Sequence, residues 1–190
     1  RQMCIRDSPR TPGVSPLRGK TKRPFGMDDA IDVGSASTIV ASLITEGGIV
    51  VDEAITSGAG IFEKSGTAPR HWWLDNRGGS IGFAVPVAIG AAIACPSRPV
   101  IALCGDGSAM YTVQGLWTIA RENLNVTVII YANRAYRILG ESLCQIVGRN
   151  DAENDAHRML SLADPEIDWA LLAKSLGMNA ERVKTCSELE

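Results

Sequence analysis

The sequence predicts an α/β domain of three layers, a mainly parallel central sheet with helices on both faces, and three observations carry that prediction. Helical periods alternate with short β-branched runs through the middle of the chain, the order expected of strands linked by crossover helices. The run Val100-Ile-Ala-Leu-Cys104 leads into Gly105-Asp-Gly-Ser108 and then into a helical pattern reaching about Arg121, so a buried strand, a turn and a helix follow one another. A second apolar run, Val126-Thr-Val-Ile-Ile-Tyr-Ala132, comes one helix later, and parallel strands joined by a single helix usually lie side by side.

With 190 residues, 45% of them apolar, the chain can bury one full core. Its net charge of -2 hides an asymmetry, because residues 1–26 carry +6 and the remainder -8. A basic arm can bind nucleic acid or an anionic membrane, but the acidic body argues against nucleic acid as the main partner. The five cysteines, Cys4, Cys95, Cys104, Cys144 and Cys186, contain no C-x-x-C pair and leave one unpaired in any disulfide scheme. A reduced, cytoplasmic compartment is the simplest expectation. No apolar run approaches the length that crosses a bilayer, and the N-terminus lacks the apolar core of a signal peptide.

Taken in order, residues 1–26 scatter Pro9, Pro12, Pro16 and Pro24 among positive charges without any period. A disordered basic arm is therefore expected over residues 1–34 and the folded domain over 35–190. Arg1 to Ser8 reads as a cloning or sequence-assembly artefact. The stretch from Gly13 to Thr21 resembles a phosphate-binding P-loop, but it has five residues between its glycines instead of four and no strand before it. From Ser35 or Ser37 as N-cap, Thr38 to Thr45 reads as a helix stopped at Gly47-Gly48. Ile49 to Ile55 reads as a core strand, with Thr56-Ser57-Gly58 as the loop at its C-terminal end. Residues 59–78 read as a loop anchored by His71-Trp72-Trp73. Gly78 to Gly82 opens a helix of small residues ending near Pro96.

Beyond the second strand, a helix is expected to run to about Val147 and a polar loop over 149–155. Asp164-Pro165 marks a turn, Asp168 to Gly177 a helix and Ala180 to Lys184 a short strand. Ser187-Glu-Leu-Glu190 reads as an N-cap and the start of a further helix. That ending, with the unstructured beginning, predicts a fragment of a longer protein.

The glycine turn carries the chemistry. A βα turn aims main-chain N–H groups and the positive end of a helix dipole at one spot, which favours a phosphate. Gly105 and Gly107 let an anion approach the main chain closely. Asp106 between them would repel that anion unless a cation intervened. The second strand ends at Asn133, so a carboxylate and an amide oxygen converge on one edge of the sheet. Oxygen ligands suit magnesium or calcium rather than zinc, and magnesium commonly completes its shell with waters and substrate phosphates. Each residue also has an ordinary role open to it: Asp106 could cap a helix and Asn133 could shape a turn.

Gly105-Asp106-Gly107-Ser108, followed after 25 residues by Asn133, resembles the cofactor-binding signature of the thiamine-diphosphate-dependent decarboxylase and acetolactate synthase superfamily. Gly78 to Ala92 is similar to the family's preceding segment, and Ala109 to Thr118 to its following helix. The resemblance covers roughly residues 45–185 and implies the C-terminal diphosphate-binding domain, with thiamine diphosphate and Mg²⁺ as cofactors. Asp106, Asn133 and the Ala135 carbonyl would ligate Mg²⁺. Gly105, Gly107, Ser108 and the Thr56-Ser57-Gly58 loop would hold the diphosphate. The Gly79 carbonyl would accept from the aminopyrimidine, Ile81 would wedge the two rings into a V, and Ser80 between them is counted among the cofactor-binding residues. Ile138 and Leu139 would flank the thiazolium, and Tyr136 is counted among the cofactor-binding residues. Ala132 departs from the family pattern, where many members have a second asparagine.

The same resemblance implies a 2-oxo acid substrate, with the cofactor's thiazolium attacking the carbonyl and taking up the electrons released with CO₂. No catalytic residue is assigned within this chain. The activating glutamate belongs to a separate pyrimidine-binding domain, of the same or a second subunit, so the isolated chain is expected to be inactive and the complete enzyme a homodimer or homotetramer. Two other classes compete. A Rossmann oxidoreductase needs a third glycine where Met110 stands. A non-catalytic binding or regulatory module keeping the fold is the stronger alternative, and an upstream pyrimidine domain would discriminate against it.

Overall fold

The computed structural model describes residues 2–5, 25–26, 28–75, 78–147 and 155–190. The P-loop-like stretch lies outside these residues, as does nearly all of the expected polar loop. Six strands form one sheet: β1 (Gln2–Ile5), β2 (Ile49–Glu53), β3 (Trp72–Asp75), β4 (Val100–Gly105), β5 (Val126–Ala132) and β6 (Glu181–Val183), in the order β3-β2-β4-β5-β1-β6. The four strands β3, β2, β4 and β5 are mutually parallel. β1 runs antiparallel to both of its neighbours, β5 and β6.

Helices cover both faces. On one, α3 (Ala84–Ala94), α5 (Gly115–Arg121) and α8 (Trp169–Ser175) bury Val51, Ala102, Cys104 and Val128. On the other, α1 (Val33–Leu43) and α9 (Cys186–Leu189) cover Val50, Leu103 and Ile129. Burial on both faces explains why β4 and β5 read as near-continuous apolar runs instead of alternating ones. The short helices α2 (Ile61–Ser65), α4 (Asp106–Ala109) and α7 (Asp155–Leu160), with the longer α6 (Arg137–Val147), lie in the connections.

Several elements differ from expectation. Gln2 to Ile5, read as part of an unstructured arm, form the strand between β5 and β6. α1 begins at Val33, capped by Asp32 and by neither Ser35 nor Ser37. The Asp32 carboxylate accepts from Ser35 N–H at 2.7 Å while Ser35 Oγ accepts from Asp32 N–H at 3.0 Å, a reciprocal pair that satisfies two N–H groups at once. α9 is capped in the same way by Thr185 and Glu188, ahead of the expected Ser187. Trp72 and Trp73 belong to β3 and not to a loop; Trp73 meets Phe62 edge to face at 5.2 Å. The helix expected from the glycine turn to Arg121 is broken into α4, a 3₁₀ turn (Met110–Thr112) and α5.

Two consequences can be measured. Leu103 is fully buried at the centre of the sheet, so Leu103→Ala is expected to lower the free energy of unfolding by about 2–5 kcal/mol, read by denaturant titration. Asp52 on β2 lies opposite Asp75 of the edge strand. Burial pushes its carboxyl above the ordinary carboxylate value, the Ala54 N–H bond pulls it down, and the charges of Asp75 and Glu53 push it further up. Because the folded-state value is the higher one, ionised Asp52 costs stability above it, and the cost fades as pH falls through it. Asp52→Asn keeps an acceptor for Ala54 N–H, so the variant should be more stable than the parent near neutral pH, with the gap closing in mild acid.

Candidate cofactor site

Parallel pairing of β4 and β5 sets Gly105 opposite Tyr131. The chain therefore leaves both strands on the same edge, with Asp106 just past β4 and Asn133 just past β5. Asp106 is 2% exposed. Its carboxylate accepts the N–H of Arg134 at 2.6 Å through Oδ2 and that of Gly107 at 2.9 Å through Oδ1. Asn133 Oδ1 accepts from Ala135 N–H at 3.0 Å. Both side chains thus fasten the same turn, 133–135, from its two ends. Asn133 Nδ2 reaches back to β2's loop and donates to Ser57 Oγ at 3.0 Å. Asp106, Asn133, Ala135 and Ser57 are brought together as one cluster.

The other expected residues surround it. Gly107 and Ser108 are buried in α4. The Tyr136 ring lies against Gly107 so closely that a Cβ there would meet ring carbons at 2.7 Å. Thr56 and Gly58 flank Ser57 in the loop after β2. Gly79, Ser80 and Ile81 precede α3, while Ile138 and Leu139 sit in the first turn of α6 with 43% and 51% of their surface exposed. These two segments belong to other connections than Asp106, which opens α4.

Two features escaped the sequence reading. Glu53, the last residue of β2, is 3% exposed and its carboxylate accepts main-chain N–H groups at the start of α3. Strand alternation offered a signal, since it puts Glu53 on the same buried face as Ile49 and Val51. The second is backbone strain. Ile55 and Arg134 hold positive φ of 47° and 61° just beyond β2 and β5, a conformation that costs non-glycine residues about 1–3 kcal/mol and concentrates at functional sites.

The cluster fits a hard cation. Burial pushes the Asp106 carboxyl above the ordinary carboxylate value, and the main-chain bonds and the charge of Arg134 pull it back only in part. Among the described residues no cationic side chain bonds to Asp106, because the Arg134 guanidinium is turned to Glu166 at 3.2 Å. A buried carboxylate so placed is short of positive charge. Asn133 Oδ1 keeps a second lone pair, so a carboxylate and an amide oxygen are available, a donor set that suits Mg²⁺ better than Zn²⁺.

Known proteins resemble the chain in sequence and in fold. Residues 58–190 match the family described as thiamine pyrophosphate enzyme, C-terminal TPP binding domain. The chain is 43% identical over 175 residues to the "Putative acetolactate synthase large subunit IlvX" of Mycobacterium tuberculosis, covering 92% of this chain and 34% of that protein. It is 28% identical over 182 residues to benzoylformate decarboxylase of Pseudomonas aeruginosa, covering 96% and 31%. The solved thiamine diphosphate-dependent 4-hydroxybenzoylformate decarboxylase of Rhodococcus jostii RHA1 superposes with a TM-score of 0.63 at 26% identity, covering 90% of this chain and 30% of that one. The chain thus spans about a third of the length of these relatives, and it belongs to the thiamine pyrophosphate enzymes through their C-terminal cofactor-binding domain.

Proposed function

We propose that this chain anchors thiamine diphosphate through Mg²⁺ in a 2-oxo acid decarboxylase or carboligase of the acetolactate synthase type. The observation that carries the reading is the charge-deficient Asp106 carboxylate, buried beside Asn133 at the ends of two adjacent parallel strands. Asp106, Asn133 and the Ala135 carbonyl would hold the metal. Gly105, Gly107, Ser108 and the loop Thr56-Ser57-Gly58 would hold the diphosphate. Gly79, Ser80 and Ile81 would take the pyrimidine end, and Tyr136, Ile138 and Leu139 the thiazolium.

When bound, the cofactor supplies a carbanion and an electron sink for decarboxylation. The chain's own residues do preparatory work. The Arg134 and Gly107 N–H groups hold the Asp106 carboxylate in one orientation. Ala135 N–H, which can only donate, fixes the Asn133 oxygen toward the turn, and Ser57 Oγ holds the NH₂ end of the amide. Burial of Asp106 and Ser57 keeps water from competing for these bonds. The activating glutamate would come from a pyrimidine-binding domain, in a cytoplasmic homodimer or homotetramer acting on a small 2-oxo acid, so turnover is assigned to the completed assembly and not to this chain alone.

Direct binding tests the reading. Isothermal titration of the chain with inorganic pyrophosphate should show binding in Mg²⁺ that a chelator abolishes, and Asp106→Asn should remove the metal dependence. Binding that is indifferent to the chelator or to that substitution would reject the assignment. Ser57→Ala frees the Asn133 amide, and the affinity for Mg²⁺ with pyrophosphate should fall by about tenfold, or about 1.4 kcal/mol, with little change in the unfolding midpoint.

A further inference from the structure

The loop that enters α3 is fastened from two sides at one residue, Gly82. On the sheet side, the Glu53 carboxylate accepts the N–H groups of Gly82, of Phe83 at 3.3 Å and of Ala84 at 2.7 Å. On the other side, Thr112 Oγ1 donates to the Gly82 carbonyl at 2.9 Å. Gly82 sits at φ +87°, and a Cβ there would fall 2.6 Å from Tyr111 Cβ. Its N–H, its carbonyl and its α-carbon are therefore all engaged.

We infer that Glu53 is a positioning residue that sets the height of the Gly79–Ile81 segment under the ring end of thiamine diphosphate without touching the phosphates. The inference rests on the proposed function, which gives that segment to the pyrimidine. A single carboxylate holding three N–H groups at the start of an 11-residue helix fixes the point where the chain turns out of the helix toward Ile81. Ile81 is the residue directly before this clamp, so a shift of Gly82 is passed on to it undiluted. The partners of Gly82, Phe83 and Ala84 in this clamp are Glu53 and Thr112, and neither is among the residues given to the diphosphate, Thr56, Ser57, Gly58, Gly105, Gly107 and Ser108. A glutamine at position 53 would turn its amide NH₂ toward main-chain N–H donors and leave at least one of them without an acceptor.

The test is to titrate the 190-residue chain in Mg²⁺ with thiamine diphosphate and, separately, with inorganic pyrophosphate. The parent should bind thiamine diphosphate more tightly. Glu53→Gln should weaken thiamine diphosphate by about fivefold or more while pyrophosphate changes by less than about twofold. If far-ultraviolet circular dichroism shows that Glu53→Gln does not fold, Thr112→Val removes the opposite fastening with little change of shape and decides the question by the same split. Selective loss for thiamine diphosphate supports the inference. Equal losses for the two ligands, no loss for either, or a parent that binds both equally would overturn it. A parent that binds neither ligand would overturn the proposed function and the inference with it.

Discussion

The parallel register between β4 and β5 is the constraint on which the rest of the site depends. Gly105 opposite Tyr131 places the last residues of both strands at one level, and each chain then turns out with a polar residue first or second. A one-residue slip would send the side chains of one strand to the other face of the sheet. Asp106 would then point at a helix layer and not at Arg134 N–H. Register is held by the apolar residues below it, Val100, Ala102, Leu103, Val128 and Ile129, all under 5% exposed. A polar convergence at the rim is thus paid for by hydrophobic burial along the whole length of the strands.

Two carboxylates are buried at neighbouring strand ends, and their surroundings separate their roles. Glu53 faces three N–H groups and the positive end of a helix of 11 residues, which together compensate its charge. Asp106 receives two N–H groups from side positions and stands at a helix of only four residues. Its electrostatic requirement is met less fully, and the nearby guanidinium is engaged elsewhere. Of the two, Asp106 is therefore the one that a cation would stabilise, while an additional ion at Glu53 would have to displace helix N–H bonds. Under the proposed function, the same comparison would give Glu53 a mechanical role and Asp106 a chemical one.

What was legible in the sequence follows from which forces act locally. β4, β5 and the glycine turn were readable because strands buried on both faces are β-branched and continuous, and because the residues at their ends are fixed by the strands themselves. The N-caps were misplaced by two to five residues because Ser, Thr and Asp compete for one role, and the winner is the residue whose partner three positions on can answer it, Ser35 for Asp32 and Glu188 for Thr185. β3 was hidden since it is an edge strand of four residues, three of them exposed, and so little burial imposes no apolar pattern. β1 was invisible for a different reason. Four residues carry too little pattern, and their strand state comes from pairing with β5 and β6. Glu53 was missed because its partners lie about thirty residues away.

The strained turns and the apolar rim together narrow what the site is shaped to hold. Arg134 keeps its left-handed conformation because three contacts over-determine it: its N–H on Asp106, its carbonyl accepting from Leu162 N–H at 2.7 Å, and its guanidinium on Glu166. Strain held this firmly leaves the oxygens of the 133–135 turn preorganised, so an ion would meet them without a cost of rearrangement. An inorganic ion alone would need only that polar centre. Yet the segments that leave the same strand ends also expose Ile55, Met110, Tyr111, Ile138 and Leu139, each between 40% and 59%. Apolar surface of that extent on segments leaving the same edge of the sheet as a charge-deficient carboxylate would suit the proposed ligand, an anionic tail on a flat ring-bearing body. This pairing of features favours a ring-bearing diphosphate over free phosphate, and it does so from side chains that the metal and the phosphates would not touch.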